Sequence, residues 1–525
     1  MSKSHAFRPR ISRQIGNLLT SILPFLSLLL FSGCRQHPPD PGTVVFLIES
    51  SPTSLDPRIG SDAQSEHIQP LLFDCLVVRD ASFRMAPGLA ERWETPDPLT
   101  VIFHLRNGIR FSDGRPLTSR DVLWTLNSMR DGTVITAKAA SYAAVKSIEA
   151  PDPATVILHL SHPDNFLLNN LSTGAMGIVP WGSGRDFWKH PIGSGPFRFV
   201  SQEIDKEVIV DRNPFAHSEN AGPHPVKRVR FAVVPDAITR ALELRKGSAD
   251  IASNAIPADM LPVLAREPHL QIKSIGGTQV QYLAFNTSDP LLRDIRVRQA
   301  IACAIDRNLI IRTLLGGHAK PALSLLPQQH WAYTGDVAQY AYDPTRARAL
   351  LEQAGYQPDA KGIRIHLTMK TSTDDGTRLL AATLQQQLAA AGIALEIRSF
   401  ETATFLQDLN RGSFQIYGLR WVGGNEQPDI FGYAFSSARI PPRGANRGRY
   451  RNLQLDALLQ EANESTDQQR RTADYLQAQQ LLAHELPAIN LWYQDTILVH
   501  NRRLSSITVS PSASFEFLRT AQLQP

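Results

Sequence analysis

The stretch that decides the fold is residues 363–397, which reads IRIHLTMKTSTDDGTRLLAATLQQQLAAAGIALEI. Apolar and polar residues alternate over 363–369, and this pattern predicts a strand with one buried face. Leucine then recurs every fourth residue over 380–388, which predicts an amphipathic helix ending near Gly392. Alternation resumes over 393–397, so the stretch predicts a strand–helix–strand unit with a right-handed crossover and parallel strands.

The residues before this unit predict a second helix with well-defined ends. Asp343 is suited to accept hydrogen bonds from the free N–H groups of a first turn, and Pro344 is tolerated at the first helical position. An apolar stripe follows over 347–354, and Gly355 favours termination. Apolar runs at 44–48 and 100–105 predict further strands, so the fold class is α/β.

Composition and charge exclude several classes of protein. The 525 residues are 42% hydrophobic and 20% charged, as in an ordinary folded chain. The net charge of +5 falls to +1 without residues 1–33, which gives no case for nucleic-acid binding. The three cysteines, Cys34, Cys75 and Cys303, lack the spacing of a metal site, and a chain of this length needs no disulfide framework. Neither a cofactor nor a metal is expected.

The first 34 residues resemble a bacterial secretory signal. Basic residues precede an apolar stretch over 18–31 that is too short to span a bilayer comfortably. Small residues then lead to Cys34, as in a lipobox, although Phe31 stands where leucine is usual. We therefore expect a signal peptide at 1–33, lipidation of Cys34 and a Pro-rich tether at 34–42. A plain signal peptide or an N-terminal membrane anchor is the alternative.

Several segments, in a fixed order, resemble the family 5 extracellular solute-binding proteins, which include dipeptide-, oligopeptide- and nickel-binding importer subunits. The strongest lie in 89–122, around Phe103 to Leu105 and the turn Asp113-Gly114. Further matching segments are Ser54 to Pro57, Gly193 to Phe197, Arg212 to Phe215, Gly247 to Asp250, Asp294 to Arg307 and Tyr342 to Tyr356.

The resemblance implies two α/β lobes joined by a hinge, as in the periplasmic binding protein fold, with an extra domain inserted in the first lobe. By segment, lobe I is 43–57, 178–270 and 484–525, the extra domain is 58–177, and lobe II is 271–483. It also implies a monomeric, extracytoplasmic binding subunit that closes on a peptide or other small solute and docks on ABC permease subunits. Sequence alone leaves open a sensory role without import.

The resemblance places the segment after Trp421 in the interlobe cleft. Peptide binders of the family usually carry an aspartate three residues after this tryptophan, where it pairs with the peptide α-ammonium. Gly424 stands at that position here, so either Glu426 or Asp429 reaches the ammonium, or the ligand has no free amine. Further candidate contacts from the resemblance are Trp421, Asn425, Tyr282, Asn286, Asp62, Gln64 and Tyr493.

Other interpretations rest on weaker patterns. An arginine cluster beyond this segment offers bidentate pairing with a carboxylate, although a basic surface loop accounts for it equally; its members are Arg439, Arg443, Arg447, Arg449 and Arg451. His217 and His224 are the candidates for a metal-chelate binder. An enzyme is not favoured, because Gly-x-Ser-x-Gly, His-Glu-x-x-His and phosphate-loop motifs are absent from the sequence.

Overall fold

The computed structural model describes residues 42–80, 82–172, 176–217, 222–423 and 426–524. The chain divides into two units, Met1–Thr43 and Val44–Pro525, and the second contains nearly all of the described residues. The expected signal peptide and Cys34 lie outside the described residues.

The secondary structure alternates between strands and helices. The strands are β1 Thr43–Ile48, β2 Val77–Arg79, β3 Met85–Pro87, β4 Ala90–Asp97, β5 Thr100–Leu105, β6 Val145–Asp152, β7 Thr155–Leu160, β8 Phe197–Glu203, β9 Glu207–Arg212, β10 Arg228–Val233, β11 Ile251–Ser253, β12 Leu270–Phe285, β13 Ala319–Pro321, β14 Ile365–Ser372, β15 Ile393–Phe400, β16 Ile416–Trp421, β17 Ala488–Asn501, β18 Leu504–Ser505 and β19 Gln522–Leu523. The α-helices are α1 Ala63–Leu72, α2 Ser119–Arg130, α3 Leu167–Asn170, α4 Ala237–Lys246, α5 Leu261–Leu264, α6 Ile295–Cys303, α7 Arg307–Leu314, α8 Pro344–Gln353, α9 Asp375–Ala389, α10 Thr402–Arg411, α11 Ile430–Phe435, α12 Leu453–Glu464 and α13 Gln468–Glu485.

The strand–helix–strand prediction for 363–397 is confirmed. Strand β14 pairs in parallel with β15, with Ile365 opposite Ile393, and α9 connects them. The predicted leucine stripe is buried, and Gly392 has φ of 80° just before β15. The helix predicted after Asp343 is also confirmed, since the Asp343 carboxylate accepts from the backbone N–H of Arg346 at 2.9 Å.

A mixed sheet runs through the molecule in the order β15-β14-β16-β12-β17-β11-β1-β10-β9-β8, and β13 also pairs with β17. Its centre is the antiparallel pair of long strands β12 and β17. The register of this pair shifts between Gly276 and Val280. A Cβ atom at Gly277 would lie 2.3 Å from the Gln494 carbonyl oxygen, so only glycine allows the two backbones to approach so closely here.

A second sheet, β4-β5-β7-β6, is antiparallel and lies within 58–177. It has its own hydrophobic core, in which Phe103 of β5 and Leu126 of α2 are fully buried. A different core surrounds α6, α8, α9 and the strands β14 to β16. The lobe and domain boundaries given above stay predictions.

Candidate ligand-binding site

A buried ion pair joins three segments that are far apart in the sequence. The Glu426 side chain is 6% exposed, and its Oε2 lies 3.1 Å from Nη2 of Arg79, at the end of β2. Thr278, in the irregular stretch of β12, donates its hydroxyl to Glu426 Oε1 at 3.0 Å. A buried carboxylate is costly without partners, and here Arg79 supplies a counter-charge and Thr278 a hydrogen bond to Glu426.

Two further contacts join the predicted extra domain to the predicted lobe II. The Phe83 ring lies 5.6 Å from the ring of His330. Asn165 donates its amide to the carbonyl oxygen of Ser465 at 3.1 Å. Burial, together with the charge of Arg79, lowers the pKa of His330 to about 3, so this imidazole is neutral and adds no positive charge. Arg79 and Phe83 therefore both contact residues of the predicted lobe II.

Helix α1 brings more carboxylates to the same region. Asp62 caps the helix and accepts from the backbone N–H of Ser65 at 3.0 Å. Burial opposes its ionisation, but hydrogen bonds from Ser65 and Thr53 outweigh burial and lower the pKa of Asp62. Burial raises the pKa of Glu66, and the charges of Asp62 and Glu426 raise it further. Glu66 is therefore close enough to both Asp62 and Glu426 for their charges to affect its pKa.

Lys138 supplies a cation beside these carboxylates. Its ammonium donates to the carbonyl oxygens of Pro57 at 2.8 Å and Gly60 at 2.5 Å. Burial lowers the pKa of Lys138 to about 8, although the charge of Glu66 opposes the shift. Lys138 thus holds the loop before α1 in place while offsetting part of the negative charge.

Trp421 ends β16 and forms an aromatic stack with Tyr282 of β12. The ring centroids are 5.7 Å apart and the planes 15° apart, while Tyr433 contacts the indole edge at 6.4 Å. Tyr282 is buried in a cluster with Phe405 and Tyr417, so it supports Trp421 from behind. Trp421 is half-buried and remains suited to present an apolar surface to a ligand.

Asp429 lies in a different environment from Glu426. It precedes α11, and its side chain makes no capping hydrogen bond. Burial raises its pKa to about 6, even though backbone N–H groups and Arg439 oppose the shift. Glu426, by contrast, already contacts the Arg79 guanidinium.

Other predicted contacts have structural partners. Asn286 donates to the carbonyl oxygens of Phe414 and Gly412 and accepts from the backbone N–H of Ser288. The Tyr493 hydroxyl bonds the backbone of residues 324 and 326 and is buried. These bonds account for the polar atoms of both side chains, and contact of either residue with a ligand stays a prediction. Gln64 is half-buried and its Oε1 has no hydrogen-bond donor among the described residues. Asn425 lies outside the described residues.

The arginine cluster is mostly tied to nearby groups. Arg447 donates to Asn410 Oδ1 at 3.1 Å, and Arg449 donates to the Arg411 carbonyl oxygen at 2.5 Å. Arg439 is exposed and lies close enough to Asp429 to affect its pKa. Pairing with an anionic ligand group therefore stays a prediction for this cluster.

Sequence reasoning missed Arg79, Thr278, Glu66 and Lys138. Arg79 and Lys138 carried no motif, because hairpin and loop cations are common on protein surfaces. Glu66 lies one helical turn after Asp62, and Thr278 directly follows Gly276 and Gly277. Their positions therefore offered a signal, but only the fold showed that they share one region.

His217 and His224 are both exposed. No group of three or more potential metal ligands occurs in the part of the chain that the structure describes. Among those same residues, no helix is both long and apolar enough to cross a membrane.

Comparison with known proteins defines the class. Residues 84–441 match the family of bacterial extracellular solute-binding proteins, family 5. The chain is 30% identical to di/tripeptide-binding protein 4 of Pseudomonas aeruginosa, covering 96% of this chain and 99% of the relative. It is 26% identical to the dipeptide-binding protein of Escherichia coli, with 90% and 94% covered. The crystal structure of NikA from Brucella suis in complex with Fe(III)-EDTA superposes with a TM-score of 0.82 at 24% identity, covering 92% of this chain and 99% of that one.

The chain belongs to the family 5 bacterial extracellular solute-binding proteins. The predicted α/β class and two-lobe fold are confirmed, because the structural neighbours are two-lobe binding proteins of this family. Like its relatives, the protein is a solute-binding protein of ABC importers and not an enzyme.

Proposed function

We propose that the chain is the substrate-binding lipoprotein of an ABC importer. It captures peptides or similar small solutes between its lobes and delivers them to permease subunits in the membrane. Family membership and relatives named for di- and tripeptides support this role. The observation that carries the choice of ligand class is the buried pair of Arg79 and Glu426 at the junction of the predicted extra domain and lobe II.

Glu426 is the proposed anchor for the ligand ammonium. It lies two residues beyond Gly424, the position where peptide binders of the family carry an aspartate. Its carboxylate is buried and already contacts the Arg79 guanidinium, so a ligand ammonium there replaces an existing interaction with a cation. The negative potential from Glu66 and Asp62 adds to the preference for a positive group at this end.

The Arg79–Glu426 pair also suits a ligand with both charges. A zwitterionic peptide inserts between the two side chains, with its ammonium on Glu426 and its carboxylate on the Arg79 guanidinium. The guanidinium offers paired N–H donors that match a carboxylate. The exposed face of Trp421, stacked on Tyr282, then supports the apolar side chains of the ligand.

A thermal-shift screen of the mature protein against short peptides tests this function. Three forms of each peptide are compared: free, N-acetylated and C-amidated. Free peptides should raise the melting temperature, since a hundredfold excess over Kd stabilises by about 2.7 kcal/mol. Acetylation removes the ammonium and should weaken binding more than any change of side chain. If acetylated and free peptides bind equally, Glu426 is not the anchor.

Glu426→Gln provides the matching protein variant. It should weaken binding of a free peptide by about 2 kcal/mol or more, or about 30-fold, because a buried charge pair is lost. Glu352→Gln, an exposed carboxylate on α8, is the control and should bind as wild type does. Mass spectrometry of co-purified ligand identifies the natural solute. Chemical conversion of any candidate solute by the protein would contradict a role in binding alone.

Lipidation of Cys34 completes the proposal and places the protein on the outer side of a bacterial membrane. The Cys34→Ser protein should lose palmitate label and appear in the soluble extracytoplasmic fraction. Retained label in that variant contradicts the assignment. Import itself is tested by deletion: loss of uptake of the bound solute supports delivery to a permease, whereas unchanged uptake favours a sensory role.

A further inference from the structure

A cavity of about 50 Å³ has a lining that includes none of Arg79, Thr278 and Glu426. Residues of α11, α13 and the start of β17 line it, together with Arg307, the first residue of α7. A single water needs a space of about 10–15 Å³, so the cavity accommodates a small ion with accompanying water.

Arg307 is a partly buried cation without a protein counter-ion among the described residues. Its Nη1 donates to the carbonyl oxygens of Ala322 at 3.0 Å and Asn490 at 3.1 Å. Within the described ranges, no carboxylate forms an ion pair with it, and Nε and Nη2 donate to no protein acceptor. Burial accordingly lowers the pKa of Arg307.

Three other arginines with buried or partly buried side chains each pair with a carboxylate. Arg58 pairs with Asp56 at 2.8 Å, and both side chains are fully buried. Arg240 lies 3.4 Å from Glu49, and Arg519 lies 3.2 Å from Asp74. Because burying an unpaired charge is costly, each of these arginines has its own carboxylate. Arg307 faces a cavity instead.

The remaining lining defines the kind of ligand. Asn490 lines the same cavity, and its Oδ1 is buried with no hydrogen-bond donor among the described residues. The apolar side chains of Phe431, Leu482 and Ile489 also line it. Apolar walls cannot replace the strong hydration of a doubly charged ion, so they favour a singly charged, weakly hydrated one.

We propose that this cavity binds a small monovalent anion, such as a halide, against the free N–H groups of Arg307. A water molecule beside the anion donates to Asn490 Oδ1. The site is distinct from the proposed ligand anchor, because Arg79, Thr278 and Glu426 are not among its lining residues. Its function is structural, since the anion supplies the counter-charge that the sequence does not.

Crystals of the mature protein grown with bromide replacing chloride give the direct test. An anomalous difference peak is expected at hydrogen-bonding distance from Arg307 Nη2 or Nε. Absence of a peak there overturns the proposal. In solution, the melting temperature should rise with bromide when sulfate balances the ionic strength.

Variants separate binding at this site from general salt effects. Arg307→Gln should abolish the bromide-dependent rise, whereas Arg312→Gln, an exposed arginine on the same helix, should keep it. Asn490→Asp places a carboxylate inside the cavity and should remove the bromide dependence while raising the melting temperature in sulfate alone. That variant decides the matter if Arg307→Gln does not fold. A bromide dependence that survives in Asn490→Asp contradicts the proposal.

Discussion

The Arg79–Glu426 pair yields a quantitative prediction about closure of the two lobes. The perturbation is a double-mutant cycle of Arg79→Met, Glu426→Gln and the two together. Charges 3.1 Å apart attract by about 5 kcal/mol at an effective dielectric constant of about 20. Desolvation offsets most of this attraction, so the measured coupling energy should be about 1–3 kcal/mol.

The two single variants should differ in a definite direction. Arg79 is 21% exposed and Glu426 is 6% exposed. A released Arg79 side chain therefore reaches water easily, whereas a released Glu426 carboxylate stays buried with only Thr278 as partner. Arg79→Met should consequently lower the free energy of unfolding more than Glu426→Gln does.

Urea unfolding, followed by both tryptophan fluorescence and circular dichroism, measures the free energies of unfolding of the four proteins. The two probes must give coincident transitions for the cycle to be valid. Small-angle scattering separates opening from unfolding, because a variant that opens has a larger radius of gyration at full secondary structure. A coupling energy within about 0.5 kcal/mol of zero refutes the role of the pair.

Two further predictions concern Asp429 and Gly277. Burial raises the pKa of Asp429 to about 6, so the folded state favours the protonated acid and the free energy of unfolding should fall as pH rises from about 4 to 6. Asp429→Asn should remove this pH dependence and stabilise the protein at pH 7 by about 2–3 kcal/mol. Urea unfolding of both proteins across this pH range measures the difference. An unchanged pH profile in the variant contradicts the assignment. In β12, Gly277→Ala should lower the free energy of unfolding by about 1–3 kcal/mol or more, because its Cβ would lie 2.3 Å from the Gln494 carbonyl oxygen. Gly276→Ala is the control, since the nearest atom to a Cβ at Gly276 is 3.8 Å away. Equal melting temperatures for Gly277→Ala and Gly276→Ala would show that the close approach is unimportant.

The site was only partly predictable. The sequence led to Glu426 and Asp429 as alternatives, because Gly424 removed the expected aspartate. Burial and partners separated them: Glu426 bonds Arg79 and Thr278, while Asp429 is held with a raised pKa. Asn286 and Tyr493 could not be assessed from sequence, since only the fold reveals that their polar atoms bond backbone groups.

Local order, by contrast, followed from the sequence itself. Alternation and the leucine repeat predicted β14, α9 and β15, and Asp343 with Pro344 predicted the start of α8. These features act between residues within a few positions of one another, so one stretch of sequence contains all the information they need. The family resemblance added the order of the segments. The tertiary structure alone determined that Arg79 reaches Glu426 and that Arg307 faces a cavity without a carboxylate. Such charge pairing depends on contacts between residues far apart in the chain, and no local pattern encodes those contacts.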